Sequence, residues 1–260
     1  MKRWLRRAAL SHGYTLAPKA PDDEVCELIR TLRPRRCDAP LIRIGGNGDG
    51  GYLIPDDLAG IKYCFSPGVS RTADFENALA DRGIRSFLAD YSVAQPPFMR
   101  PEFVFDRRFI GAIDDDVHLT LQSWMDQYVP AGLGDLLLQM DIDGGEYEVL
   151  LSAPLALLER FRIIVIEVHA LDRLFDRFAF AIMRSCFRKL LSRFYVVHAH
   201  PNNCGGMIVH SGLEFPQVME LTLYNRSRAA PGGYRSDYPN ALDADNCAGR
   251  PPLALPSCWR

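Results

Sequence analysis

The chain has 260 residues, with 30 Lys plus Arg against 32 Asp plus Glu, for a formal charge of −2. Its 48% hydrophobic and 24% charged residues are the composition of a globular protein and exclude a wholly disordered chain. The near-neutral balance lacks the cationic excess of a nucleic-acid-wrapping surface, and no apolar run approaches the roughly 20 residues of a membrane span.

Residues 1–40 read as a basic arm and a short helix. MKRWLRRAAL is broken by Arg6 and Arg7, too early for the roughly 7–15 apolar residues of a secretory signal. It reads as a solvated arm, or as a weak membrane-surface contact through Trp4 and the arginines. A helix is expected over 22–32, with acids in its first turn and Pro34 beyond it. Residues 43–55, RIGGNGDGGYLIP, form a glycine-dense loop. Strands are then expected at 61–65, 84–90, 107–113, 135–143, 161–169, 194–200 and 217–225, and helices at 71–83, 118–129, 145–154 and 171–194. FRIIVIEVH is apolar on both faces, as a central parallel strand should be. Strands alternating with helices mean an α/β fold with a mostly parallel sheet over 41–228. Residues 229–260, rich in Pro, Gly and Asp, read as an irregular tail or a flap over a substrate. The seven cysteines are scattered without a CxxC pair, which fits reduced thiols in a cytoplasmic protein better than disulfides or zinc.

Parallel sheets bind ligands beyond the C-terminal ends of their strands, so chemistry is sought where each strand stops. The first expected strand runs into Ser66-Pro67-Gly68-Val69-Ser70, a small-residue turn that lets backbone N–H groups approach a ligand, although a plain tight turn has the same composition. The second ends at Asp90, 22 positions after Gly68, close to the roughly 20 at which an acid accepts from ribose hydroxyls. The third runs into Asp114, Asp115 and Asp116; one of these, Asp114, can accept from an adenine amino group, and the alternative is a solvated acidic loop. The fourth gives Asp141 and Asp143 on one face and delivers Glu146 into the first turn of a helix. The fifth gives Glu167 and His169, again sharing a face. His198, His200, Asn202 and Asn203 end the sixth, where two histidines beside carboxylates can ligate a metal or simply line a turn.

Five ionisable groups converging at neighbouring strand ends need a proton, a cation or a substrate. His169 is the candidate general base. Asp141 and Glu167 are candidates to orient it; with Asp143, they can instead hold a hard cation such as Mg²⁺. Without a metal, the same carboxylates can grip hydroxyls directly. Tyr52, Tyr234 and Tyr238 are candidates to stack on a sugar ring.

LLLQMDIDGGEYEVL at 136–150 resembles the "lKiDiEGaEwevL" signature of FkbM-type class I S-adenosylmethionine-dependent methyltransferases. LTLQSWMDQY, IIVIEVHAL, FYVVHAHPNNCGG and MELTLYN resemble further segments of that branch, as does RIGGNGDGGY at 43–52. The resemblance implies a Rossmann-like seven-stranded sheet with an antiparallel last strand. It implies S-adenosylmethionine over Ser66, Gly68 and Ser70, with Asp90 on its ribose. It also implies O-methylation, often of a sugar or glycan hydroxyl in a small-molecule or glycan acceptor. The chain departs from the branch in having Pro67 and one glycine in its first motif, and Asp143 and Gly145 in its fourth. Two other classes remain open: a non-catalytic binding module on this scaffold, and a sugar-nucleotide-dependent glycosyltransferase, which would need a second nucleotide-binding half.

Overall fold

A computed structural model describes residues 3–210 and 212–260. Helix α1 (Arg3–Ser11) is solvent-facing, with Trp4 and Leu10 exposed. Helix α2 (Asp22–Thr31) buries Val25, Leu28 and Ile29 against the main core. The glycine-dense segment is held between two paired strands, β1 (Leu41–Ile44) and β2 (Tyr52–Pro55). Then follow β3 (Tyr63–Pro67), α3 (Asp74–Ala80), β4 (Arg85–Ala89), β5 (Phe103–Asp106), β6 (Phe109–Gly111), β7 (His118–Thr120) and α4 (Leu121–Tyr128). The second half contains β8 (Leu136–Met140), α5 (Glu146–Ser152), α6 (Leu155–Leu158), β9 (Phe161–Val168), α7 (Arg177–Leu191), β10 (Phe194–Pro201), β11 (Met207–His210), β12 (Leu213–Pro216) and β13 (Met219–Asn225).

Seven strands form one sheet in the order β10-β13-β9-β8-β3-β4-β5. Strand β13 runs antiparallel between β9 and β10, while β9, β8, β3, β4 and β5 pair in parallel. This seven-stranded, mostly parallel Rossmann-like sheet with an antiparallel last strand agrees with the sequence expectation. All residues of β8, β9 and β13 are buried, because helices cover both faces of the sheet. The chain steps outward from β3 to β4 and β5, then returns to β8 on the other side. The switch point therefore lies between β3 and β8, where a crevice opens at the strand ends.

Two expected elements differ. The third sheet strand is Phe103–Asp106, not 107–113; Phe109–Gly111 leaves the sheet to pair with His118–Thr120. Asp106 anchors β5 by accepting from Trp124 Nε1 at 2.8 Å and from Tyr128 OH at 2.8 Å. The long helical stretch divides at Asp176, whose extended backbone and side chain cap α7 through the N–H groups of Phe178 and Ala179, both at 2.9 Å. Residues 171–175 form a separate 3₁₀ turn. The end of the tail is packed, not loose: Trp259 is fully buried in the main core, alongside Leu255.

Candidate active site

Gly68 fixes the crevice floor. Its φ is +89°, and a Cβ there would lie 1.5 Å from the Asp141 carbonyl oxygen, so only glycine lets the β3 turn sit against the end of β8. Beside it Asp90 Oδ2 accepts from Ser70 N at 2.8 Å, and Oδ1 accepts from Ser92 N at 2.8 Å and Ser92 Oγ at 2.6 Å. A carboxylate has about four acceptor sites, so Asp90 is held rigid with capacity left for a hydroxyl donor. Gly68, Ser70, Asp90 and Ser92 line one side of a cavity of about 750 Å³, and Asp141, Glu167, His169 and Asn202 line the other.

The ionisable side is built around His169. Its Nδ1 donates to Glu146 Oε1 at 2.9 Å. Glu146 is fully buried, and the same oxygen accepts from Ile142 N at 3.2 Å and Gly144 N at 3.1 Å. A proton on Nδ1 leaves Nε2 free towards the cavity, 3.4 Å from Glu167 Oε1 and 3.8 Å from Asp141 Oδ1. Burial works to lower the His169 pKa, but the Glu146 hydrogen bond and the charges of Glu146, Asp141 and Asp143 outweigh it and hold it above the ordinary value. Burial lifts Asp141 to about 7. Burial, then Asp141 and Glu220, lift Glu167 to about 10, even though Asn202 Nδ2 donates to its Oε1 at 3.0 Å. Glu167 Oε2 has no hydrogen-bond partner among the described residues.

Other expected site residues lie elsewhere. Ser66 is buried within the sheet, its hydroxyl engaged by Glu76 and Gln139, so it does not reach the cavity. Asp114 belongs to a loop after β6 rather than to a sheet-strand end. Its oxygens accept from Thr120 N at 2.7 Å and Ser123 Oγ at 2.7 Å, outside the cavity wall. Asp143 reaches the rim with a fully exposed side chain, 3.8 Å from His169 Nε2. The cluster whose ligand atoms lie within 4.8 Å of one another is Asp141, Glu167 and His169, with the imidazole in place of Asp143.

His198 and His200 face Asp243 of the tail. Asp243 Oδ1 accepts from His198 Nε2 at 2.9 Å, and Asp243 Oδ2 lies 3.7 Å from His200 Nδ1. Burial opposes it, but these two histidines hold Asp243 well below the usual carboxylate range. Cys204 and Cys247 form a disulfide, which corrects the expectation of uniformly reduced thiols. Asn246 Nδ2 donates to buried Glu220 at 2.6 Å. Through these contacts the tail is fastened beside the cavity, and Cys204 itself lines it. The tyrosines proposed for sugar stacking are not on the wall: Tyr52 is buried and takes a hydrogen bond from Gln139, while Tyr234 stacks on arginines elsewhere. The exposed aromatic face in the cavity is Phe109, whose ring lies 5.7 Å from that of His118. Sequence reasoning also passed over Asp49 and Ser92, the first inside the glycine-dense loop and the second two residues after Asp90; a polar side chain so close to a strand end is the signal for Ser92.

Residues 109–194 match the methyltransferase FkbM domain. The FkbM match takes in Asp141, Glu146, Glu167 and His169 and ends before the tail; Gly68 and Asp90 precede it. Among solved structures, a tryptophan-to-alanine mutant of the 16S rRNA (adenine(1408)-N(1))-methyltransferase from Catenulisporales acidiphilia aligns over 75% of this chain and 99% of its own, at 12% identity and a TM-score of 0.31. The antibiotic-resistance methyltransferase Kmr aligns over 72% of this chain and 100% of its own, at 14% identity and a TM-score of 0.30. Similarity at that level says nothing of what this chain acts on. No curated protein matches the chain. Among the described residues, no helix is long and apolar enough to cross a membrane.

Proposed function

We propose that this chain is an S-adenosylmethionine-dependent O-methyltransferase acting on a hydroxyl of a sugar or glycan. The observation that carries the reading is one cavity with a rigid acid at the end of β4 on one side and a His169 base, oriented by buried Glu146, on the other. The cofactor fits the donor set: Asp90 Oδ2 keeps acceptor capacity for a ribose hydroxyl, and the Gly68–Ser70 turn leaves the space above it open. When bound, S-adenosylmethionine supplies an electrophilic methyl group on a sulfonium.

The chain's own residues supply the rest. A sugar hydroxyl is a weak nucleophile at neutral pH and needs a base as its oxygen forms the new bond. His169 Nε2 takes that proton, and Glu146 stabilises the imidazolium that results. Protonated Glu167 donates to one neighbouring hydroxyl and Asp141 holds another, and together they fix which one faces His169. The incubation that tests this pairs the protein with labelled S-adenosylmethionine and a panel of sugars and glycans. Transfer of label to one of them supports the reading; transfer only to RNA or protein overturns it.

A second reading is favoured by the orphaned Glu167 Oε2: Asp141, Glu167 and His169 would hold a divalent cation that lowers the pKa of the acceptor hydroxyl. An imidazole in the set suits Mn²⁺ or Zn²⁺ better than Mg²⁺. Activity restored after chelation by one of these ions, and not without it, favours this reading over the base.

A further inference from the structure

A second cavity of about 450 Å³ lies at the other end of β10, enclosed by α2, the last turns of α7, the start of β10 and the tail. Tyr195 in its wall and Asn202 in the first cavity are roughly 23 Å apart at ~3.3 Å per residue of strand. Five arginines line it, Arg33, Arg35, Arg184, Arg188 and Arg226, against the two carboxylates of Glu24 and Glu27. Glu24 is already taken by Arg184 Nη1 at 2.6 Å. One carboxylate thus faces four guanidiniums.

Those guanidiniums are placed by the fold. The ring of Tyr234 carries both Arg33 and Arg35, whose central carbons lie 4.7 Å and 5.2 Å from its centroid. Arg35 Nε donates to Gly232 O at 2.8 Å, so the tail fixes that side chain. Arg226 Nε is pinned by the carbonyls of Leu191 at 3.3 Å and Phe194 at 2.9 Å. One buried polar atom of a wall residue has no partner among the described residues, Arg33 Nε. Like charges gathered around a buried, unused donor form a receptor for an anion. Guanidinium forks match phosphoryl oxygens bidentately, and more of them converge here than the two oxygens of a carboxylate can engage.

We infer that this cavity binds a phosphoryl-bearing ligand, held by Arg33, Arg35 and Arg188. The test is calorimetric titration of the full chain with pyrophosphate, ADP and adenosine, on the wild type and on R33Q, R188Q and D90A. S-adenosylhomocysteine binding and a thermal melt control for folding; Arg188 is exposed, so R188Q removes a charge without opening the core. The expected result is saturable pyrophosphate binding that weakens about tenfold or more in R33Q and R188Q, while S-adenosylhomocysteine binding is unchanged in both. ADP binding tighter than pyrophosphate identifies a nucleotide as the source; equal affinity identifies the phosphoryl group alone. Absence of saturable pyrophosphate binding overturns the inference. So does binding that survives both arginine substitutions and is lost in D90A, since the anion would then occupy the first cavity.

Discussion

Burial without a full set of partners decides the protonation of Asp141 and Glu167. Asp141 is raised to about 7, so between the ordinary carboxylate range and that value the fold keeps a proton that the unfolded chain has lost. A raised carboxylate costs stability as pH rises, and the cost is complete above about 7. D141N removes it. The variant should be more stable than wild type at pH 8 by on the order of 2 kcal/mol, with the gap closing towards pH 4, as read by urea denaturation at each pH. A D141N protein less stable than wild type at pH 8 would contradict this account of the site. In the proposed mechanism turnover depends on His169 in another way. H169Q should lower kcat by about 10²–10⁴-fold and leave S-adenosylhomocysteine affinity unchanged, because its proposed role is proton transfer and not donor binding. These residues were legible in the sequence because a strand's period of two puts Asp141 beside Asp143 and Glu167 beside His169. Burial separates the first pair: Asp141 lies in the crevice, while Asp143, at a φ of +52°, turns out to solvent. Ser66 could not be placed from sequence, since the same alternation aims its hydroxyl at Glu76 beneath the turn.

Among the elements, the sequence pattern was reliable where apolar runs are long and weak where polar anchors decide. β8 and β9 stand where their apolar runs place them. β5 was missed because FVFD is only four residues long and its register depends on Asp106 reaching Trp124 and Tyr128. Moving the sheet strand to Phe103–Asp106 also removes Asp114 from the crevice. The tail illustrates the same limit. Its composition signals irregular chain, and no local pattern shows that Asp243, Asn246 and Cys247 fasten it to β10, β13 and the turn after β10. The disulfide spans a sequence separation of 43. In the chain-entropy picture, C247S should lower the unfolding free energy by up to about 4 kcal/mol, and reductant should do the same to the wild type. Denaturation curves that coincide with and without reductant would show that the Cys204–Cys247 pair does not tie the tail down.

At the scale of the whole molecule, the order of seven strands and the switch between β3 and β8 place Asp90 and His169 on opposite sides of one crevice. The FkbM match covers the side that carries His169 and not the side that carries Asp90, where the glycine-poor first motif departs from the branch it resembles. The binding of the methyl donor at Asp90 is therefore the claim on which the account turns. It is tested most directly by calorimetric titration of S-adenosylhomocysteine into the wild type and D90A. The account expects saturable binding by the wild type that falls at least about tenfold in D90A, the size of one lost hydrogen bond to a charged acceptor. No binding by the wild type, or equal affinity in D90A, would contradict it.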